Sequence, residues 1–186
     1  MATSKGFNLV EIVVAIGLFS LVGIIVLDAW VANGRLLRTG LGTVELQQEA
    51  DAALERTSDA VRNARAVLSS GSIGGLPFTT ASSTLLLDLP GLLADGTASS
   101  SLTDVVVLYR DPAAPSAYRM AVDAAAGSVR KEGTSLVSED VSDLFFTLAT
   151  STISAARDVG FQIRLSRTIS GRAVTSDRAG RFHLGN

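Results

Sequence analysis

Glu11 is the side chain in this sequence whose type and place most invite chemistry, because it stands in a run that is otherwise apolar from Phe7 to Leu27, apart from Asn8 and Ser20. A carboxylate near the centre of a membrane-spanning helix costs about 2.5–3.5 kcal/mol, and less towards the end, where Glu11 lies. Such a group needs a partner or a task. Elsewhere the material for chemistry is thin. Cysteine is absent and His183 is the only histidine, which removes disulfides, thiolate zinc sites and cysteine nucleophiles and leaves little for a His-based triad. Asp88, Asp95, Glu139, Asp140 and Asp143 are of a type that binds calcium, but their spacing matches no EF-hand loop. No catalytic residue, metal or cofactor is assigned.

The element that must position Glu11 is a helix. Twenty-one residues from Phe7 to Leu27, at about 1.5 Å each, give roughly 30 Å, the thickness of a bilayer's hydrocarbon core. A secretory signal peptide fits less well, since Asp28 to Asn33 does not place small residues at both the −3 and −1 positions of a cleavage site. A plain signal anchor accounts for the length and leaves Glu11 unexplained.

Gly6 followed by Phe7, with Glu11 four residues beyond and an apolar run after it, resembles the processing signature of type IV prepilins and pseudopilins. The likeness covers about the first thirty residues. It implies that a leader, residues 1–6, is removed after Gly6 by prepilin peptidase, that Phe7 becomes the N-methylated mature N-terminus, and that Glu11 is the acidic residue used in assembly. The new amine on Phe7 would be as costly in an apolar bundle as the Glu11 carboxylate, so each can neutralise the other between neighbouring subunits and set their axial register. Many major pilins kink this segment with a proline, whereas the first proline here is Pro77. Gly17, Gly23, Gly34, Gly40 and Gly42 are the candidate weak points.

The rest of the chain reads as a stalk and a head. Leu46, Ala50, Ala53, Leu54, Thr57, Val61, Ala64 and Leu68 recur at spacings of three and four, one face of a helix that Ser69-Ser70-Gly71 would end. Strands are expected at 84–89, 104–110, 117–122, 128–131, 143–149, 161–169 and 172–176, with turns at 123–127 and 170–172. The expected organisation is a leader at 1–6, a transmembrane and assembly helix at 7–30, an amphipathic stalk at 31–70 and a β-rich head at 71–186. The fold class is α+β, a long N-terminal helix against an antiparallel sheet.

Net charge is −2, with no global footprint of a nucleic-acid binder. Residues 157–186 carry six arginines against Asp158 and Asp177, while 71–156 carry nine acidic and four basic side chains. The arginines are read as a solvated strand face or as partners for the acidic segment. The resemblance implies a structural, non-enzymatic subunit, a minor pilin or pseudopilin loosely like the J-type, serving a type IV pilus or a type II secretion pseudopilus. Its partners would be prepilin peptidase, other pilin or pseudopilin subunits and an inner-membrane assembly platform; nucleic acid is not expected. It would sit in the inner membrane with its N-terminus cytoplasmic and its head periplasmic or extracellular, and enter a filament on assembly. The alternative is a membrane-anchored DNA-uptake or adhesive module with the basic tail as binding surface.

Overall fold

A computed structural model describes residues 8–185. The chain divides into two compact units, Met1–Gly42 and Thr43–Asn186. One helix, α1, runs Leu9–Arg62. From Ile12 to Leu27 it is apolar on every side apart from Ser20, and large residues such as Leu18, Phe19 and Ile24 are exposed all round it. A helix apolar all round, with nothing of its own chain covering it, is suited to lipid or to other helices. It is long and apolar enough to cross a membrane. Gly17, Gly23, Gly34 and Gly40 do not interrupt it, and a Cβ at any of the four would meet nothing within 4 Å.

In the second unit, the expected stripe is the buried face. Leu46, Ala50, Ala53, Thr57, Val61 and Ala64 are each fully buried, and Leu54 packs against the same core. The helix stops at Arg62, short of the 68–70 boundary that the apolar spacing suggests. Asn63 closes it by donating its amide N–H and its side-chain Nδ2 to the Asp59 carbonyl, at 3.1 and 2.8 Å. Arg65 N–H then donates to the Asp88 carbonyl at 2.7 Å, and Ala66–Leu68 becomes a strand, β1. A strand edge that needs hydrogen-bond partners wins over the continuation of the helical period to Leu68.

The head is built from antiparallel strands: β2 (Ser70–Ile73), β3 (Leu76–Thr79), β4 (Thr84–Leu92), β5 (Ala98–Arg110), β6 (Tyr118–Asp123), β7 (Gly133–Ser138), β8 (Val141–Leu148), β9 (Asp158–Ile169) and β10 (Arg172–His183). They form a five-stranded sheet in the order β1-β4-β5-β6-β7, a three-stranded sheet β10-β9-β8, and the hairpin β2-β3. The single meander expected from the sequence is therefore split between Ser138 and Val141. Both larger sheets feed one core with the helix, in which Tyr118 stacks on Phe161 at 6.0 Å and Phe161 meets Phe146 in a tilted contact at 5.6 Å. The hairpin covers a smaller cluster, Ile73, Leu86, Val107 and Ala121.

One expected strand is wrong. Ser128 to Lys131 is a loop, and the strand lies at Gly133–Ser138. The polar groups of the loop are engaged elsewhere: Ser128 and Arg130 both reach back to Asp104. The turn at 170–172 is as expected, with Ser170 (φ 52°) and Gly171 (φ 80°) joining paired Ile169 and Arg172. Two successive positive φ values define the tight turn that matches strand twist.

Candidate functional site

Of the three residues singled out from the sequence, Gly6 and Phe7 lie outside the described residues. Glu11 is described, in the first turn of α1. Asn8 is the residue before the helix, and its backbone N–H donates to Glu11 Oε2 at 3.1 Å, while Glu11 N–H donates to the Asn8 carbonyl at 2.9 Å. This is the return arm of a capping box, in which an acidic side chain at the third helical position satisfies an orphan amide at the cap. A carboxylate at this end also complements the helix dipole. Glu11 thus has a local role in starting the helix, which the sequence reading did not find; the signal was the Asn-x-x-Glu spacing of Asn8 and Glu11.

The second arrangement is an ionic seam in the head, where α1 meets the three-stranded sheet. Arg167 on β9 donates through Nε to Asp140 Oδ2 at 2.8 Å and through Nη2 to Glu49 Oε2 at 3.1 Å, with Glu45 at 3.6 Å. The hydrogen bond to Asp140, then the charges of Asp140, Glu49 and Glu45, hold the Arg167 guanidinium above its ordinary value. Glu49 uses its other oxygen to accept the Glu139 amide at 3.2 Å. Further along, Arg178 of β10 grips Asp51 with both arms of its guanidinium, which lowers the Asp51 carboxyl. Towards the five-stranded sheet, Arg56 donates to the Leu136 carbonyl of β7 at 3.1 Å.

The arginine-rich C-terminal hairpin is therefore engaged largely with the chain itself. On its outer face Arg164 pairs with Asp177 at 2.7 Å and Asp143 at 3.6 Å. Arg181 and His183 both face Asp158, at 3.5 and 3.1 Å, and the hydrogen bond from His183 lowers the Asp158 carboxyl. The expectation that these arginines answer the acidic segment 71–156 holds for Asp140 and Asp143. Three of their seven carboxylate partners, Glu45, Glu49 and Asp51, lie instead on the helix, and Asp158 and Asp177 lie in the C-terminal region itself.

The most enclosed charge is Asp104 of β5, whose side chain is 0% exposed. Burial alone would push its carboxyl up. Donation from the Ala125 amide (2.9 Å), Arg130 Nε (2.8 Å) and the Ser128 hydroxyl (2.8 Å) outweighs burial and holds it below the usual carboxylate range. These bonds leave it saturated, a structural tie rather than an acid or base facing a substrate. Asp95, considered for calcium, caps its own turn by accepting from Thr97 N and Oγ1 at 2.9 and 2.7 Å. Among the described residues, no group of three or more His, Asp or Glu side chains is placed to hold a metal ion.

The arrangement thus consists of an uncovered apolar helix that starts on a capped carboxylate, and a helix-and-sheet head tied together by Arg167, Arg178 and the Asp104 cluster. Comparison of the sequence with family models, with characterised proteins and with solved structures found no match.

Proposed function

We propose that this chain is a pilin-like structural subunit, a minor pilin or pseudopilin, that is processed between Gly6 and Phe7 and assembles through its N-terminal helix. The observation that carries the reading is an apolar helix, exposed over its membrane-length part and bearing Glu11 in its first turn, in the same element that supplies the buried stripe of a β-rich head. A plain anchor uses Glu11 only to cap the start of its helix, whereas an assembling helix also gives the carboxylate a charged partner. Once the cut is made, the Phe7 amine of one subunit and the Glu11 carboxylate of the next form a pair that relieves two desolvated charges at once. Glu11 then exchanges its bond to the Asn8 amide for a stronger, charge-assisted one.

The role is structural rather than enzymatic. Supporting this, Asp104 is saturated by donors and the lone imidazole, His183, sits on an exposed strand end against Asp158. The partners are prepilin peptidase, other pilin-like subunits and an inner-membrane platform, with the head outside the cytoplasm. The chain has no cysteine of its own, so a single one at Phe19, 80% exposed, reports helix contacts cleanly. Expressed in membranes with its processing and assembly components, that variant should form disulfide-linked pairs, and Glu11→Ala should reduce their yield several-fold. Crosslinking indifferent to Glu11→Ala would reject the assembly role of Glu11.

A further inference from the structure

We propose that the turns of α1 just beyond the membrane-length run form a contact site for the headgroups of anionic phospholipids, read by Arg35 and Arg38 beside Trp30. The inference rests on the spanning helix alone and is independent of the processing and assembly proposed above.

The apolar run ends at Leu27 and Asp28 marks the polar boundary. Trp30 follows two residues later, 75% exposed, at the level where tryptophan favours the border between hydrocarbon and headgroups. Arg35 and Arg38 lie about 7.5 and 12 Å beyond Trp30 along the axis at roughly 1.5 Å per residue. Side chains on a helix lean towards its N-terminus, here back towards the membrane. The guanidinium groups can therefore snorkel down to the headgroup layer, which is about 5–8 Å deep on each side.

The structure agrees with that direction. Arg35 and Arg38 line, together with Trp30 and the bare backbone at Gly34, one hollow of about 390 Å³ on the helix surface. Both arginines are exposed, and among the described residues neither guanidinium has an ion-pair or hydrogen-bond partner. This sets them apart from Arg164, Arg167, Arg178 and Arg181, each of which has a carboxylate. Asp28 is the acid in this stretch, and no ion pair joins it to either arginine. Two unanswered cations about two to three turns beyond a spanning segment, beside an interfacial indole and able to reach back, complement a phosphodiester with net negative charge. A zwitterionic headgroup offers the same phosphate with its charge cancelled.

Trp30 is the only tryptophan in the chain, so its fluorescence reports this site alone. The full chain is reconstituted in vesicles containing small fractions of brominated phosphatidylglycerol or brominated phosphatidylcholine, whose bromines quench a neighbouring indole. The expected result is preferential quenching by the anionic lipid, by about five-fold in relative association for each arginine at low salt, falling as salt screens the contact. Arg35→Gln with Arg38→Gln should abolish the preference and leave quenching by the zwitterionic lipid intact. Equal quenching by the two lipids in the unaltered chain would overturn the proposal, as would a preference that survives the double substitution. Quenching by neither lipid would show that Trp30 is not at the membrane surface, and would remove the anchored helix and this site together.

Discussion

Replacing Arg130 by methionine tests whether the Asp104 cluster is a tie that the head depends on. The substitution keeps an unbranched side chain of similar length and removes the Nε donor 2.8 Å from Asp104 Oδ2 and the Nη2 donor 3.2 Å from the Pro90 carbonyl. Asp104 remains fully buried with two donors in place of three. Breaking a buried ion pair from one side costs about 3–5 kcal/mol, because the other charge is left behind. Since the Arg130 side chain keeps 28% of its exposure, the lower end, about 3 kcal/mol, is expected. For a head of this size that is roughly 6–12 °C in melting temperature, read by circular dichroism of the full chain in detergent. The pH dependence carries a second, sharper expectation. In the unaltered protein the Asp104 carboxyl is held low, so its contribution is present above the unfolded-state carboxylate value and is lost as pH falls through the folded one. With Arg130 gone, its hydrogen bond and its charge no longer lower the carboxyl, which rises relative to that of the parent. The destabilisation should then shrink, not grow, as the solution is acidified. A variant within about 0.5 kcal/mol of the parent, or one whose deficit widens in acid, would refute the reasoning.

Two further substitutions probe the head. Burial pushes the Asp88 carboxyl up against the opposing charge of Arg65, and its Oδ1 is buried without a hydrogen-bond partner. A raised folded-state value favours folding below the unfolded carboxylate value and is lost as pH rises through it, so Asp88→Asn should raise the melting temperature at neutral pH, with the gain vanishing near pH 3; a loss at neutral pH would count against this. At Gly160 an added Cβ would fall on the Thr147 hydroxyl across the β8-β9 pair, so Gly160→Ala should destabilise by about 1–3 kcal/mol in a urea titration. Thr147→Ala in the same chain removes the obstructing oxygen and should restore most of that loss.

The long-period features were legible in the sequence, and the local competitions were not. The apolar run and the stripe from Leu46 to Ala64 each repeat over several turns, and burial in the head follows that stripe residue by residue. The end of the helix was misread because Ala64 and Leu68 fit a helical spacing while Ala66–Leu68 fits the edge of β4 equally well, and only the Asp88 carbonyl decides between them. The hairpin β2-β3 was missed although Gly74-Gly75, at φ 57° and 81°, is a two-residue turn between Ile73 and Leu76. Ser128 to Lys131 was read as a strand because it is a short run set off by Gly127 and Gly133. What holds it as a loop is a carboxylate more than twenty residues earlier, a long-range bond that no local pattern reveals. Similarly, the arginine surplus of the C-terminal hairpin was plain from counting, whereas its answer by Glu45, Glu49 and Asp51 required the helix to be laid against that sheet.

The most direct test of the pilin-like reading is the intact mass of the full chain expressed with and without a prepilin peptidase. The account predicts loss of Met1 to Gly6 and gain of one methyl group on Phe7, only when the peptidase is present, and blocked by Gly6→Val. A chain that stays uncut, or that is cleaved near Asn33 whether or not the peptidase is there, would contradict it and leave Glu11 with its capping role alone.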